Sequence, residues 1–233
     1  MKAFDTVDHS ILLEKMFKAG IRGVAHEWFR SYLTGRKQRV RVGDDLSDEV
    51  EMVYGVPQGS VLSGPLFLIY VNSLCESKFK GSLTAFADDT SLFYRAKSYH
   101  ELENVMQNDI NLLRTWFTDN CLVMSPKTQV LVFNLCPKNK VSLSLKYHEV
   151  SCSLLRCNCS HIEVVESIKY LGLFVDSKLS WKTHVNYVKG KILKYIRVFY
   201  LIRSICDADL LRKLYFAFIN STLEYALTLW GGT

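Results

Sequence analysis

Leu83-Thr84-Ala85-Phe86-Ala87-Asp88-Asp89-Thr90-Ser91-Leu92-Phe93-Tyr94 is the stretch on which the reading of this chain turns. Two short apolar runs flank a pair of adjacent acids, which reads as strand, tight turn, strand with the acids at the tip. Neighbouring strand residues face opposite ways, so only one of the two acids need face a given site. Carboxylates at a hairpin tip are hard oxygen donors of the kind that bind Mg²⁺. Asp is also an ordinary turn residue, and the pair alone does not define a metal site. Its weight comes from the sequence on either side.

Upstream lies Gly55-Val56-Pro57-Gln58-Gly59-Ser60, ahead of the apolar run from Val61 to Tyr70. Two glycines and a proline make an irregular loop of little bulk, which lets a backbone or a flat ring approach closely. Gln58 supplies an amide at its crest, and Ser60 or Ser63 is placed to cap the helix behind it. Before this loop, Arg36 to Val42 reads as a strand with Arg39 and Arg41 on one face and Val40 and Val42 on the other. A turn at Gly43-Asp44-Asp45 leads into a partner strand near Val50 to Val53. The arginine face is open to two readings, a solvated strand surface or an edge that tracks phosphates. Further back, Asp8 or Ser10 caps a helix carrying Ile11, Leu12, Leu13, Met16 and Phe17, closed by Gly20. A second helix carries Val24, Trp28, Phe29, Tyr32 and Leu33, with Gly35 past its end. His9 and His26 are expected at the surfaces of these helices.

Downstream of the acids, Ser98 caps a long amphipathic helix bearing Leu102, Val105, Met106, Leu112, Leu113, Trp116 and Phe117, which stops at Asn120. Lys127 precedes a strand from Val130 to Leu135, and more strands are expected near Val141 to Tyr147 and Ile162 to Val165. Cys152, Cys157, Cys159 and His161 lack the paired CxxC of a zinc site. Tyr170 to Asp176 reads as a strand ending in a turn. Trp181 opens a helix rich in Lys182, Lys189, Lys191, Lys194 and Arg197 that runs to about Ser204, and Asp207 caps a last helix. The composition shift near residue 180 suggests a boundary, with sheet and helices over 1–180 and a basic helical piece over 181–233.

Composition sets broad limits. The 233 residues are 48% hydrophobic, enough for one sizeable core or two small lobes. A net charge of +6 is compatible with a polyanionic partner without requiring one. Seven cysteines, an odd number, read as reduced thiols inside a cell, nuclear or cytoplasmic, rather than as a disulfide framework. The longest apolar run, around Pro65 to Leu74, is too short to span a bilayer, so no membrane partner is expected. The chain starts inside patterned sequence and stops in an apolar segment, and both ends read as cut.

Taken together, Lys2-Ala3-Phe4-Asp5, Gly55 to Ser60, Phe86-Ala87-Asp88-Asp89 and Tyr170-Leu171-Gly172 resemble, in order and spacing, four motifs of reverse transcriptases, in particular those of jockey-like non-LTR retrotransposons. No single motif is decisive; the ordered set is specific and covers nearly the whole chain. The resemblance implies an α+β right-hand polymerase fold. Its palm would be an antiparallel sheet backed by helices, with Asp88 and Asp89 on the central hairpin, followed by a helical thumb and with the fingers largely missing. It implies RNA-directed DNA polymerisation with an RNA template, a DNA primer and dNTPs as partners, and Mg²⁺ or Mn²⁺ as cofactor. The reaction is in-line phosphoryl transfer, in which two ions about 3.5–4 Å apart lower the primer hydroxyl pKa and stabilise the leaving oxygen. A basic thumb suits an A-form hybrid, which is read by shape and backbone.

Residue by residue, Asp88 and Asp89 match metal-binding positions and Phe4 the steric gate that excludes a 2′-hydroxyl. Gln58 and Gly59 match the loop that touches the nucleotide, and Tyr170, Leu171 and Gly172 the primer grip. Lys127 matches a lysine placed to protonate departing pyrophosphate, although Met124-Ser125-Pro126-Lys127-Thr128 is one residue short of the usual pattern and lacks its asparagine. In the family a further metal-binding aspartate lies a few residues before the opening lysine, which counts to a position upstream of Met1. Asp5 and Asp8 match no metal position, and Asp5 reads as structural. The expectation is a palm and thumb with little or no polymerase activity by themselves. The alternative is a non-catalytic nucleic-acid-binding remnant of a mobile element.

Overall fold

The computed structural model describes residues 3–133, 143–148 and 159–232. By their contacts the residues cluster into two compact units, 1–128 with 142–162, and 129–141 with 163–233. The strands just before residue 180 therefore cluster with the helices that follow them, not with the opening helices.

The first unit begins with a single 3₁₀ turn at Ala3–Asp5 and helix α1 (His9–Lys18). Asp8 caps α1 as its sequence position suggests, its carboxylate accepting from the Ser10 and Ile11 amides at 2.9 and 3.0 Å. Burial pulls this carboxyl upward, but the bonds from the Ser10 hydroxyl and the two amides outweigh it and hold it below the usual range. Helix α2 (Gly23–Leu33) packs on α1, and α3 (Ser63–Val71) packs on α1 as well. Their shared core is Val7, Leu12, Leu13, Met16, Leu33, Val56, Leu66, Phe67 and Tyr70. His9 and His26 are not at the helix surface: both are 8% exposed, His9 Nε2 bonding the Gly55 carbonyl at 2.8 Å and His26 Nε2 the Leu13 carbonyl at 3.0 Å. Each lies on its helix's apolar stripe, where a satisfied imidazole is tolerated.

Between α2 and α3 the chain forms a hairpin with two ladders. Strand β2 (Arg41–Val42) pairs β3 (Asp45–Leu46) across Gly43-Asp44, and β1 (Lys37–Gln38) pairs β4 (Val50–Glu51). The partner strand near Val50 is present as β4, and β3 at Asp45–Leu46 adds a second short ladder next to the turn. Arg39 falls in the gap between the ladders, where Val40 and Ser47 bond each other, so Arg39 and Arg41 do not share one regular strand face.

Strands β5 (Ser82–Phe86) and β6 (Asp89–Phe93) follow, then α4 (Tyr99–Asp119). Ser98 caps α4 through the Glu101 amide at 3.2 Å, and Asn120 ends it. Gln107 of α4 makes two hydrogen bonds to the Lys146 backbone, 2.9 and 3.0 Å, acting as a strand edge would for the segment 143–148. That segment bridges His161 through Lys146.

The second unit holds β7 (Gln129–Leu131) parallel to β8 (Glu163–Val165), and β9 (Ser167–Tyr170) antiparallel to β10 (Leu173–Asp176). The Tyr170–Asp176 stretch is therefore not a strand running into a turn; the turn lies inside it, at Leu171-Gly172. Both loop residues have positive φ, 44° and 84°, as a two-residue type I′ hairpin demands. Leucine is a poor residue there and asparagine a good one. Leu171→Asn is expected to raise stability by about 0.5–1 kcal/mol, read as a higher urea midpoint.

Asp176 then organises the link to α5 (Lys182–Ile202), accepting from the Lys178, Ser180 and Trp181 amides at 3.1, 3.0 and 2.8 Å. Helices α6 (Ala208–Leu214), α7 (Ser221–Glu224) and α8 (Leu227–Trp230) follow, with a π turn over Tyr215–Asn220. Asp207 caps α6 through the Leu210 amide at 2.7 Å. Leu173, Val188 and Trp230 form the buried centre of this unit. No described helix is long and apolar enough to cross a membrane. Among the described residues the strands form five separate two-stranded ladders, β5–β6 among them, and not the single antiparallel sheet expected. The mixture of helices with small, mostly antiparallel ladders fits the α+β class. Cys152 and Cys157, and the expected strand ends at 134–135 and 141–142, lie outside the described residues.

Candidate active site

The acid pair sits where the flanking apolar runs place it. β5 and β6 pair in a register that closes on Phe86 and Asp89, leaving Ala87 and Asp88 as the loop. Ala87 has φ +51°, the sign that two-residue hairpins need at the first loop position. Cross-strand partners share a face, so the half-buried Leu83 and Leu92 point one way, while Asp89, Phe86, Thr84 and Ser91 point the other. Asp88 and Asp89 are both exposed, and neither carboxylate has a hydrogen-bond or ion-pair partner among the described residues. Their donor chemistry suits Mg²⁺, which takes one or two protein carboxylates and completes its shell with water and substrate phosphate. Among the described residues no three His, Cys, Asp or Glu side chains gather closely enough to hold a metal by themselves.

The opening motif and the Gly55–Ser60 loop are knit into one assembly. The Val56 amide donates to the Phe4 carbonyl at 2.9 Å and the Gly55 amide to the Val7 carbonyl at 2.8 Å. Phe4 is half-buried, its ring stacked on Phe67 with centroids 4.3 Å apart. Gln58 donates its amide to the Asp5 carboxylate. Asp5 therefore has a structural task, holding the crest of the loop, as its sequence position suggested. Gly59 is exposed with φ +84°, and a Cβ there would meet nothing within 4 Å. Ser60 accepts from the Leu62 amide and bonds the Tyr32 hydroxyl at 2.9 Å, while Ser63 donates to the Pro57 carbonyl. The loop is thus held from α2, α3 and the opening turn, leaving Gln58 and Gly59 at its surface.

The cationic candidates are less organised. Arg39 pairs with Glu49 at 2.6 Å, and Lys37 reaches the same carboxylate at 3.0 Å. Arg41 bonds the Gly43 carbonyl at 3.0 Å and lies 3.9 Å from Asp44. These are exposed pairs, each worth about 0–1 kcal/mol, so they yield readily to a competing anion. Lys127 is exposed at the third position of a turn in which Thr128 bonds back to the Ser125 carbonyl. In the second unit, Tyr170 and Leu173 close the type I′ hairpin, and the Leu171 carbonyl accepts from the Tyr225 hydroxyl at 2.6 Å. Gly172 lies against that phenol ring, 3.2 Å from where its Cβ would be.

Sequence reasoning passed over Asp109, Tyr94 and Lys15. Asp109 lies on the buried stripe of α4 beside Met106 and Ile110, and a charge on an apolar stripe is a signal that periodicity could have raised.

The reverse transcriptase (RNA-dependent DNA polymerase) family matches residues 1–175, and the chain belongs to it. Over 99% of its length it is 27% identical to the probable RNA-directed DNA polymerase from transposon X-element and 26% identical to that from transposon BS, both of Drosophila melanogaster. It is 25% identical, again over 99% of its length, to the RNA-directed DNA polymerase from mobile element jockey of the same fly. The chain spans about a quarter of the length of these curated relatives.

Proposed function

We propose that residues 1–233 are the palm and thumb portion of a non-LTR retrotransposon reverse transcriptase. In this reading Asp88 and Asp89 hold divalent metal for RNA-directed DNA synthesis. The observation that carries it is the pair of exposed carboxylates at the turn of β5–β6, with no hydrogen-bond or ion-pair partner among the described residues. Two Mg²⁺ ions, when bound, lower the primer hydroxyl pKa and neutralise charge on the triphosphate. The chain's own residues do the positioning. Phe4, its ring fixed on Phe67, is the steric gate, and Gln58 and Gly59 present a low surface to the incoming nucleotide. Tyr170, Leu171 and Gly172 form the primer grip, residues 181–233 the thumb, and Arg39 and Arg41 touch the template backbone. Lys127 is the candidate proton donor to pyrophosphate. RNA template, DNA primer and dNTP are the partners.

A second reading, a non-catalytic nucleic-acid binder, is favoured by one observation: no cluster of three metal-capable side chains stands among the described residues. The 233-residue span by itself is proposed to have little or no polymerase activity. Mn²⁺ titration of the isotopically labelled chain separates the two readings. The first expects the Ala87, Asp88 and Asp89 amides to broaden before others, with affinity at least about tenfold weaker in Asp88→Asn. Uniform, non-specific broadening leaves only the binder. Robust extension of a DNA primer on an RNA template by the purified span, cut by Asp88→Asn, would refute the proposed inactivity.

A further inference from the structure

Asp109 is an acid buried to 1% exposure in the middle of α4, with no ion-pair partner among the described residues. A buried charge of this kind persists only where hydrogen bonds replace its water. Here the bonds all go to one element. The Lys80 amide donates to both carboxylate oxygens, at 3.1 and 2.9 Å, and the Gly81 amide donates to Oδ2 at 2.9 Å. Lys80 and Gly81 lead directly into β5. Tyr94, directly after β6, is half-buried near the same carboxylate, and that burial together with the Asp109 charge raises its phenol well above the ordinary value. The Tyr94 ring lies against Gly81 so closely that a Cβ on Gly81 would come within 2.6 Å of it. One carboxylate on α4 therefore grips the β5 foot of the hairpin whose tip carries Asp88 and Asp89, and the Tyr94 ring, directly after β6, packs against that foot at Gly81.

The geometry makes this grip consequential. A two-stranded hairpin is marginal without support, and this one shares no ladder with another strand among the described residues. Five residues separate foot from tip, about 17 Å at strand rise, so a tilt of about 5° at the base moves the tip by about 1.5 Å. Misplacement on that scale is enough to disable a metal or catalytic site. If core packing were all that this stripe position served, an apolar side chain would fill it at no desolvation penalty.

We propose that Asp109 is a positioning residue of the Asp88–Asp89 site, setting the tilt of the hairpin through Lys80, Gly81 and Tyr94. The proposal rests on the reading of that pair as metal ligands. Asp109→Asn replaces one of the two acceptor oxygens by an NH2 donor that opposes the Lys80 N–H, and Tyr94→Phe removes the hydroxyl near the same carboxylate while keeping the ring against Gly81. Each variant of the whole 233-residue chain is followed by amide exchange and by Mn²⁺ titration read at Ala87 to Asp89. Asp109→Asn is expected to expose the Lys80 and Gly81 amides, shift the tip resonances and weaken Mn²⁺ about tenfold, with α1 amides unchanged. Tyr94→Phe is expected to move the same signals in the same direction by less, and it decides the matter if Asp109→Asn does not fold. A role confined to stability would lower the melting temperature and leave the Mn²⁺ affinity of the folded protein unchanged. Wild-type binding with unchanged affinity in the folded variants overturns the proposal alone. Absence of site-specific Mn²⁺ binding in the wild type overturns the metal reading and the proposal together.

Discussion

Gly55→Ala is expected to destabilise the first unit by about 2–4 kcal/mol, with a matching fall in the urea midpoint. Two effects add. Gly55 has φ +88°, a conformation that costs an L-residue about 1–2 kcal/mol. A Cβ there would also lie 3.0–3.1 Å from the Asp5 Cα, C and O atoms. Those are backbone atoms, so relief requires the opening turn to move away from the loop. That movement strains the Val56–Phe4 bond and the His9 contact with the Gly55 carbonyl. Gly59→Ala is the internal control. Its φ is +84° but nothing lies within 4 Å, so only the conformational part, about 1–2 kcal/mol, should appear. Equal losses at the two glycines would show that the Asp5 contact carries no weight.

Lys15→Met is expected to cost about 2–4 kcal/mol at neutral pH, since a buried acceptor left unmatched costs about 1–3 kcal/mol. The Lys15 ammonium donates to the Tyr70 carbonyl, to Asn120 Oδ1 and, at 3.0 Å, to Ser73 Oγ. It also lies 4.7 Å from the Tyr70 ring centroid and 5.3 Å from that of Trp116. It thus ties α1 to the end of α3 and to the C-cap of α4, and methionine restores the stem but none of the bonds. Burial pulls Lys15 down to about 8, with a smaller push from Lys18 in the same direction. The folded value is below the unfolded one, so between about pH 8 and pH 10.5 the unfolded chain holds more protons. Stability contributed by this group therefore rises with pH across that window. The gap between wild type and Lys15→Met should widen from pH 7.5 to pH 10 in paired urea titrations. A constant gap would mean that the ammonium titrates as if in water.

Much of the architecture was legible because its causes are local. Asp8, Ser98 and Asp207 cap their helices through amides two or three residues on. The acid hairpin forms where two apolar runs flank a turn pair, and Trp181 directly precedes α5 as its position indicated. Other readings failed for an equally physical reason. Tyr170 to Asp176 looked like one strand because Leu171 is not an obvious turn residue; only the Gly172 beside it marks the reversal. His9 and His26 looked like surface residues because an imidazole says nothing about its surroundings until its acceptor is known. The arginine strand was drawn too regular because ladder gaps depend on the partner strand.

What the chain's own order of residues determined is the set of caps, turns, apolar stripes and the four motifs that place it among reverse transcriptases. Those depend on neighbours within a turn or two. Which polar groups meet inside the fold was decided by tertiary structure alone: His9 bonds a carbonyl 46 positions away, Lys15 an amide oxygen 105 away, and Asp109 the foot of the acid hairpin 29 away. Such pairings arise because burial removes water from these groups and leaves whatever partner the packing brings, and no local pattern records that partner.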